Sequence, residues 1–211
     1  MASKLAAPFL DLLPITGVAI SVFDQSQGTS LIHSSDATAA RLEEMHFDLG
    51  EGPMFDAFAS GSLVTVPDLA ATDRWPAFLL GAAELSVGSI YVFPLMLGAA
   101  CTGAVTCYRT KPAPLDDSDV DIAISLSRAI AGPASLQAIV LSQNEPPAAI
   151  IPGPSRREVH QATGMVLWQL NISATDAFAR IQAYAFSSGC TVHEVARDVV
   201  TRRLNFAELP E

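Results

Sequence analysis

The segment "QNEPPAAIIPGP" at residues 143–154 constrains this chain more than any other stretch. Its four prolines and one glycine in twelve positions exclude a helix interior and a central strand, because proline has no amide donor and a fixed φ. A semi-extended linker is what remains for it. The two sides of that linker also read differently. Residues 1–142 alternate strand-like and helix-like patterns, whereas residues 155–206 hold three helical patterns and no strand signal.

Before the linker, an apolar helix over about residues 2–13 is stopped by Pro14. "TGVAISVFD" (16–24) alternates Val18, Ile20 and Val22 with smaller or polar neighbours, the pattern of a half-buried strand. "GTSLIHS" (28–34) reads as a second strand. Asp36 then N-caps the helix "ATAARLEEMHF". The turn Gly50-Glu51-Gly52-Pro53 uses glycine for an unusual φ and proline to open a short helix that ends at Gly61. "SLVTVPDL" reads as a strand and "TDRWPAFLLGAAEL" as a helix. Residues 85–108 carry no charge over 24 positions, long enough to span a bilayer. Pro94, Gly88, Gly98 and Gly103 break that run into a strand–turn–strand unit instead. A long helix over 117–142 follows, with acids crowded at its start, where the helix dipole favours them. Gly132-Pro133 is expected to kink or break it. Clustered helices and adjacent strands give an α+β class with a mostly antiparallel sheet.

After the linker, helix one covers about 155–170. Ser173 and Asp176 open helix two with an acidic form of the capping box. Thr191 and Glu194 open helix three, whose Val192, Val195, Ala196, Val199 and Val200 form an apolar stripe. A bundle of roughly fifty residues is marginal alone, so docking or dimerisation is expected. Gly164 sits inside helix one at a cost of about 1 kcal/mol relative to alanine, which calls for a close approach there.

The net charge of −10 argues against coating nucleic acid or anionic membrane through bulk charge. The distribution is uneven, however. Residues 155–206 carry six arginines (156, 157, 180, 197, 202 and 203) against acids at 158, 176, 194 and 198, a net of +2. A polyanion would therefore dock at the C-terminal module. Cys101, Cys107 and Cys190 are too few for a disulfide framework and lack metal spacing. Cys101 and Cys107 lie six apart on one expected strand, about 20 Å at ~3.3 Å per residue, beyond disulfide reach. His33 and His46 are isolated, and no triad, phosphate loop or paired-carboxylate site is present. These residues point to no enzyme, no cofactor and no metal. With no secretory signal in "KLAAPFLDLLP", the chain reads as soluble and cytoplasmic.

Residues 157–200 resemble an ANTAR domain, the three-helix RNA-binding output module of bacterial transcription antitermination regulators. Arg157, Ala162-x-Gly164, "DAF" at 176–178, Ala185 and "VARDVV" at 195–200 carry the likeness. Residues 15–140 resemble the GAF domain that precedes ANTAR in many actinobacterial proteins, through "LGEGPMFDAF", "VPDL", "DRWPAF" and "VFPL". The chain is thus identified as resembling GAF–ANTAR proteins. Residues 1–142 would be a GAF-like sensor and dimerisation domain with a flanked antiparallel sheet, and 155–206 an all-α three-helix RNA-binding domain.

The resemblance implies a homodimer that grips a pair of RNA hairpins in a leader transcript, together with a small-molecule ligand of unknown identity in the GAF domain. It implies RNA contacts from Arg156, Arg157, His160, Ala162, Gly164, Arg180, His193 and Arg197. Arg202 and Arg203 read as a solvated helix face, and Trp168 as a core or interface residue with base stacking as the alternative. The chain departs from the family pattern at three positions. Thr163, Gln169 and Gln182 stand where the family commonly has basic residues. Those losses motivate the alternative of a dimeric signalling scaffold whose ANTAR module binds RNA weakly or not at all. For dimerisation, Ile122, Leu126, Ala129, Ile130 and Leu136 offer an apolar seam on the long helix.

Overall fold

Strands β1 (Gly17–Phe23), β2 (Thr29–Ser34), β3 (Val64–Val66), β4 (Ser89–Leu97) and β5 (Ala100–Arg109) form one sheet. Its order is β2-β1-β5-β4-β3 and every neighbouring pair is antiparallel. The helices before the linker are α1 (Ser3–Leu12), α2 (Ala37–Leu49), α3 (Pro53–Ser60), α4 (Pro76–Ala82) and α5 (Asp117–Gln143). Those after it are α6 (Arg156–Leu170), α7 (Ala174–Ser188) and α8 (Val192–Val200). The computed structural model describes residues 3–23, 29–143 and 156–209, so all of the expected linker but Gln143 lies outside the described residues. By contacts the chain divides into two units, Met1–Glu145 and Pro146–Glu211.

Both faces of the sheet are covered. On one face Val18, Ile20, Phe93 and Val105 pack against Phe9 of α1 and Ala123, Ile130, Ala131 and Ala134 of α5. On the other, Ala19, Ile90, Val92 and Ala104 pack against Leu42 of α2, Met54 of α3 and Phe78 of α4. Each fully buried phenylalanine contributes about 1.5–3 kcal/mol through its removal from water. This double cover corrects the half-buried reading of β1. Six of its seven residues are buried, and the small Ala19 and polar Ser21 face helices rather than solvent.

The uncharged stretch 85–108 forms the β4–β5 hairpin, as its glycines and proline indicated. Helix α5 is long and apolar enough to cross a membrane by length and composition alone. Its buried alanines and Ile130 nevertheless lie in the sheet's core. The expected break at Pro133 does not occur, and α5 continues to Gln143. Ala131 and Ala134 on either side of Pro133 are both fully buried, so packing outweighs the single lost helix bond. Of the apolar seam, Ile130 is spent on this core, whereas Leu136 is 66% exposed.

Local chemistry sets the helix ends. The Ala39 N–H donates to Asp36 Oδ1 at 2.9 Å, an N-cap worth about 1 kcal/mol. Tyr108 Oη and Ser35 Oγ donate to the same carboxylate. Burial would raise the Asp36 carboxyl, but these bonds outweigh it and hold it below its usual range. Helix α4 starts later than its sequence pattern suggested, at Pro76. Trp75 before it adopts φ 62, and its Nε1 donates to Asp56 Oδ2 at 3.1 Å. Gly52 in the Gly-Glu-Gly-Pro turn has φ 124, and a Cβ there would sit 2.5 Å from His46 Cδ2.

His46 is not isolated. One turn earlier on α2, Glu43 Oε1 lies 3.6 Å from His46 Nδ1, and both side chains are buried. Ser21 Oγ donates to Glu43 Oε2, and the imidazole stacks on Phe78 with centroids 4.6 Å apart. Burial alone would raise the Glu43 carboxyl. The adjacent His46 imidazole, with the Ser21 hydroxyl that donates to Glu43, reverses that and holds it low.

Candidate nucleic-acid interface

The three C-terminal helices bury one stripe each. Val159, Ala162 and Val166 of α6, Ala177, Ile181 and Ala185 of α7, and Val192, Val195, Ala196 and Val199 of α8 form the bundle core. Ser173 accepts from the Asp176 N–H at 3.1 Å to cap α7. Thr191 and Glu194 make a complete reciprocal capping box on α8. Beyond α8 the chain turns at Arg202, whose φ is 59, and the Arg203 and Leu204 amides close on the Asp198 carbonyl. The tail then folds back on α6. The Phe206 N–H donates to Gln169 Oε1 at 3.1 Å, and the Phe206 ring meets Tyr184 edge-on with centroids 5.5 Å apart.

Two departures from the basic pattern thereby have structural uses. Gln169 holds the tail. Thr163 donates its hydroxyl to the Val159 carbonyl at 2.8 Å, within its own helix.

The expected contact residues separate into groups. Ala162 is fully buried, so its role as a contact residue is corrected. Its small side chain serves the packing of α6 against its neighbours, not a ligand. Gly164 is exposed, and nothing lies within 4 Å of where its Cβ would be. The bundle itself therefore has no need of a glycine there. His160 is exposed on the same face of α6, four residues before Gly164, and Trp168 follows four residues after it. Arg180 on α7 and Arg197 on α8 are exposed, while His193 is half-buried. Arg156 and Arg157 begin α6, but their side chains lie outside the described residues.

An open groove of about 750 Å³ runs along α6 beside the returning tail. Gly164, Met165 and Trp168 line one side, and Arg202, Arg203 and Leu204 the other. Among the expected contact residues whose side chains are described, only Gly164 lines it. Trp168 is 83% exposed, which makes the core reading of this residue wrong. Sequence reasoning set Arg202 and Arg203 aside because nothing in a linear pattern shows a tail folding back beside α6. A tryptophan at i+4 from an unneeded glycine was the available signal.

Two of the three thiols are ill suited to chemistry, whereas Cys190 is exposed. Cys107 is fully buried and Cys101 half-buried on β5, and burial pushes both up from the ordinary thiol range. Among the described residues no group of three or more His, Cys, Asp or Glu side chains has the geometry to hold a metal ion.

Comparison with known proteins gives two family matches. A model described as GAF domain matches residues 7–132, and one described as ANTAR domain matches residues 154–200. No curated protein matches the chain significantly. Three solved structures resemble the first unit. A GAF domain (GAF3) from Synechocystis in its photoproduct state has a TM-score of 0.52 at 14% identity, covering 68% of this chain and 97% of that one. The GAF domain from an Acinetobacter phosphoenolpyruvate-protein phosphotransferase has 0.52 at 15%, covering 66% and 84%. A type II free methionine-R-sulfoxide reductase from Thermoplasma acidophilum has 0.51 at 18%, covering 63% and 91%. Identities this low establish the shared fold and nothing further.

Proposed function

Because the chain belongs to the GAF domain family and carries an ANTAR domain after it, we propose that it is an RNA-binding transcription antitermination regulator. The GAF unit is the sensor, and the ANTAR unit grips paired RNA hairpins in a leader transcript in the cytoplasm. Such binding would prevent an overlapping terminator from forming. Both domains are regulatory types, sensory and RNA-binding respectively.

The observation that carries this reading is the exposed stripe His160–Gly164–Trp168 on the first ANTAR helix. Its glycine is not required by the bundle. RNA hairpin loops are read through backbone approach and stacking, and such a stripe provides both. The arginines at 156, 157, 180 and 197 supply the cationic share. A homodimer places two such units together. In its support, the exposed Ile122, Ala129 and Leu136 recur at seven-residue spacing along one face of α5.

The test is filter binding of the full chain to a tandem-hairpin RNA at two salt concentrations. About three phosphate contacts would lower affinity roughly 40-fold between about 50 and 200 mM salt. Absence of saturable, salt-sensitive binding would sink the RNA reading. If light scattering still showed a dimer, the scaffold alternative would then stand. A monomer at micromolar concentration would remove the dimer.

A further inference from the structure

We propose that the groove between α6 and the returning tail holds one unpaired base of the bound RNA, stacked on Trp168 with its phosphate at Arg202. This rests on the RNA-binding reading and adds the residue-level site within it.

Four observations converge. Trp168 is 83% exposed, and a large ring left in water at the mouth of a groove is a surface waiting for a partner. Gly164, one turn before it, leaves open space over the helix backbone, so a flat ring system can lie close against α6. Across the groove stands Arg202, which makes no ion pair among the described residues. Its neighbour Arg203, by contrast, is bound to Asp198 at 3.1 Å. Arg202 also holds the left-handed position that ends α8, so the closing turn fixes its backbone beside the groove.

Charge selects the occupant. Arg202 and Arg203 line the groove with one carboxylate, Glu208, which accepts from Asn205 Nδ2 at 2.6 Å. Arg203 is paired with Asp198, so among the described residues Arg202 is the lining cation left without an ion pair beside the aromatic face. The lining also includes the amide of Gln161, whereas that of Asn205 is engaged with Glu208 and the Ala207 N–H. Amides and guanidinium groups match the polar edge of a nucleobase, whereas a second copy of this chain would bury them against apolar helix surface. An unpaired base with its phosphate satisfies the ring, the Gln161 amide and the free arginine together.

The experiment measures binding of the full chain to two probes by fluorescence titration and filter binding. One is a synthetic tandem-hairpin RNA with adenine-containing loops. The other is a fully paired RNA duplex of equal length. Stacking on a tryptophan is commonly worth about five- to 150-fold in affinity. Trp168→Ala should therefore weaken hairpin binding by about that factor while leaving duplex binding unchanged, and Trp168→Phe should recover part of the loss. Hairpin RNA should quench the emission of exposed Trp168, while buried Trp75 keeps its own. Arg202→Ala should lower the salt dependence by about one phosphate's share.

If wild-type protein binds hairpin RNA and Trp168→Ala binds it within twofold, the stacking site is overturned while the RNA function survives. If wild-type protein binds neither probe, both readings fall. A loss of affinity accompanied by dimer dissociation in the Trp168→Ala protein would assign the groove to a second copy of the chain and also overturn the proposal. Far-ultraviolet circular dichroism of each variant checks that the bundle is intact, which an exposed position should leave unchanged.

Discussion

Replacing Gly164 with alanine separates what the ANTAR bundle needs from what its partner needs. Glycine in a helix interior costs about 0.5–1 kcal/mol relative to alanine, through the backbone freedom it must surrender on folding. That cost is normally offset by some packing contact that a methyl group would spoil. Here the methyl would meet nothing within 4 Å, and the position is exposed on α6. The substitution should therefore return the whole 0.5–1 kcal/mol. In a unit of about sixty residues, 1 kcal/mol moves the melting temperature by about 4–8 °C, so the expected rise is about 2–8 °C. Calorimetry of the full chain, following the transition of the helical unit, measures it. RNA titration on the same sample measures the other side. A methyl group intruding into a close contact costs about 1–3 kcal/mol, or about five- to 150-fold in affinity. The expected result is a more stable bundle that binds RNA less well. A lower melting temperature would show that the space over Gly164 is filled in solution. A higher one with unchanged RNA affinity would refute the idea that the glycine is kept for a partner.

Three further outcomes concern the remaining structure. Glu43→Gln removes the charge that faces His46 and weakens the charge-assisted hydrogen bond from Ser21, and should cost about 1.5–3 kcal/mol, or about 3–12 °C in the GAF unit. Because Glu43 is held below its ordinary value of 4.5 in the folded chain, its contribution is complete above that value and vanishes as pH falls through the folded one. Acid titration of unfolding should show a shallower decline in the variant, and superimposable curves would count against the buried pair. Gly52→Ala adds a strained φ, about 1–3 kcal/mol, to an overpacked contact with His46 of similar size; a wild-type melting temperature would contradict this geometry. Gln169→Ala should cost about 1 kcal/mol and raise hydrogen exchange at the Phe206 amide, and unchanged protection there would mean that the tail is held some other way.

Much of the fold was legible because its signals are local. Asp36, Ser173 and Thr191 cap the helices expected of them, since a cap needs only the residue and the amides two or three places on. Gly61 and Gly189 end helices with positive φ, as glycine after an apolar stripe implies. The misreadings were all tertiary. Pro133 did not break α5, because burial of Ala131 and Ala134 exceeds one backbone bond. Ser21 looked like the wet side of β1 until α2 covered it with Glu43.

The contact site shows the same division. From residue types and spacing alone came the two-part organisation, the helix-only C-terminal unit, the position of Gly164 and the choice of α6 as the helix to watch. Side-chain direction along a helix is periodic, so Ala162 and Gly164, two residues apart, had to face different ways. Which of them met solvent depended on where α7 and α8 pack. Packing decided that Ala162 is core and that Gly164 and Trp168 are open. It likewise decided that the tail, held by Gln169 and Phe206, returns to set Arg202 across from Trp168. A sequence states what each helix buries; the pairing of one helix with a segment more than thirty residues away is settled only when the long-range contacts form.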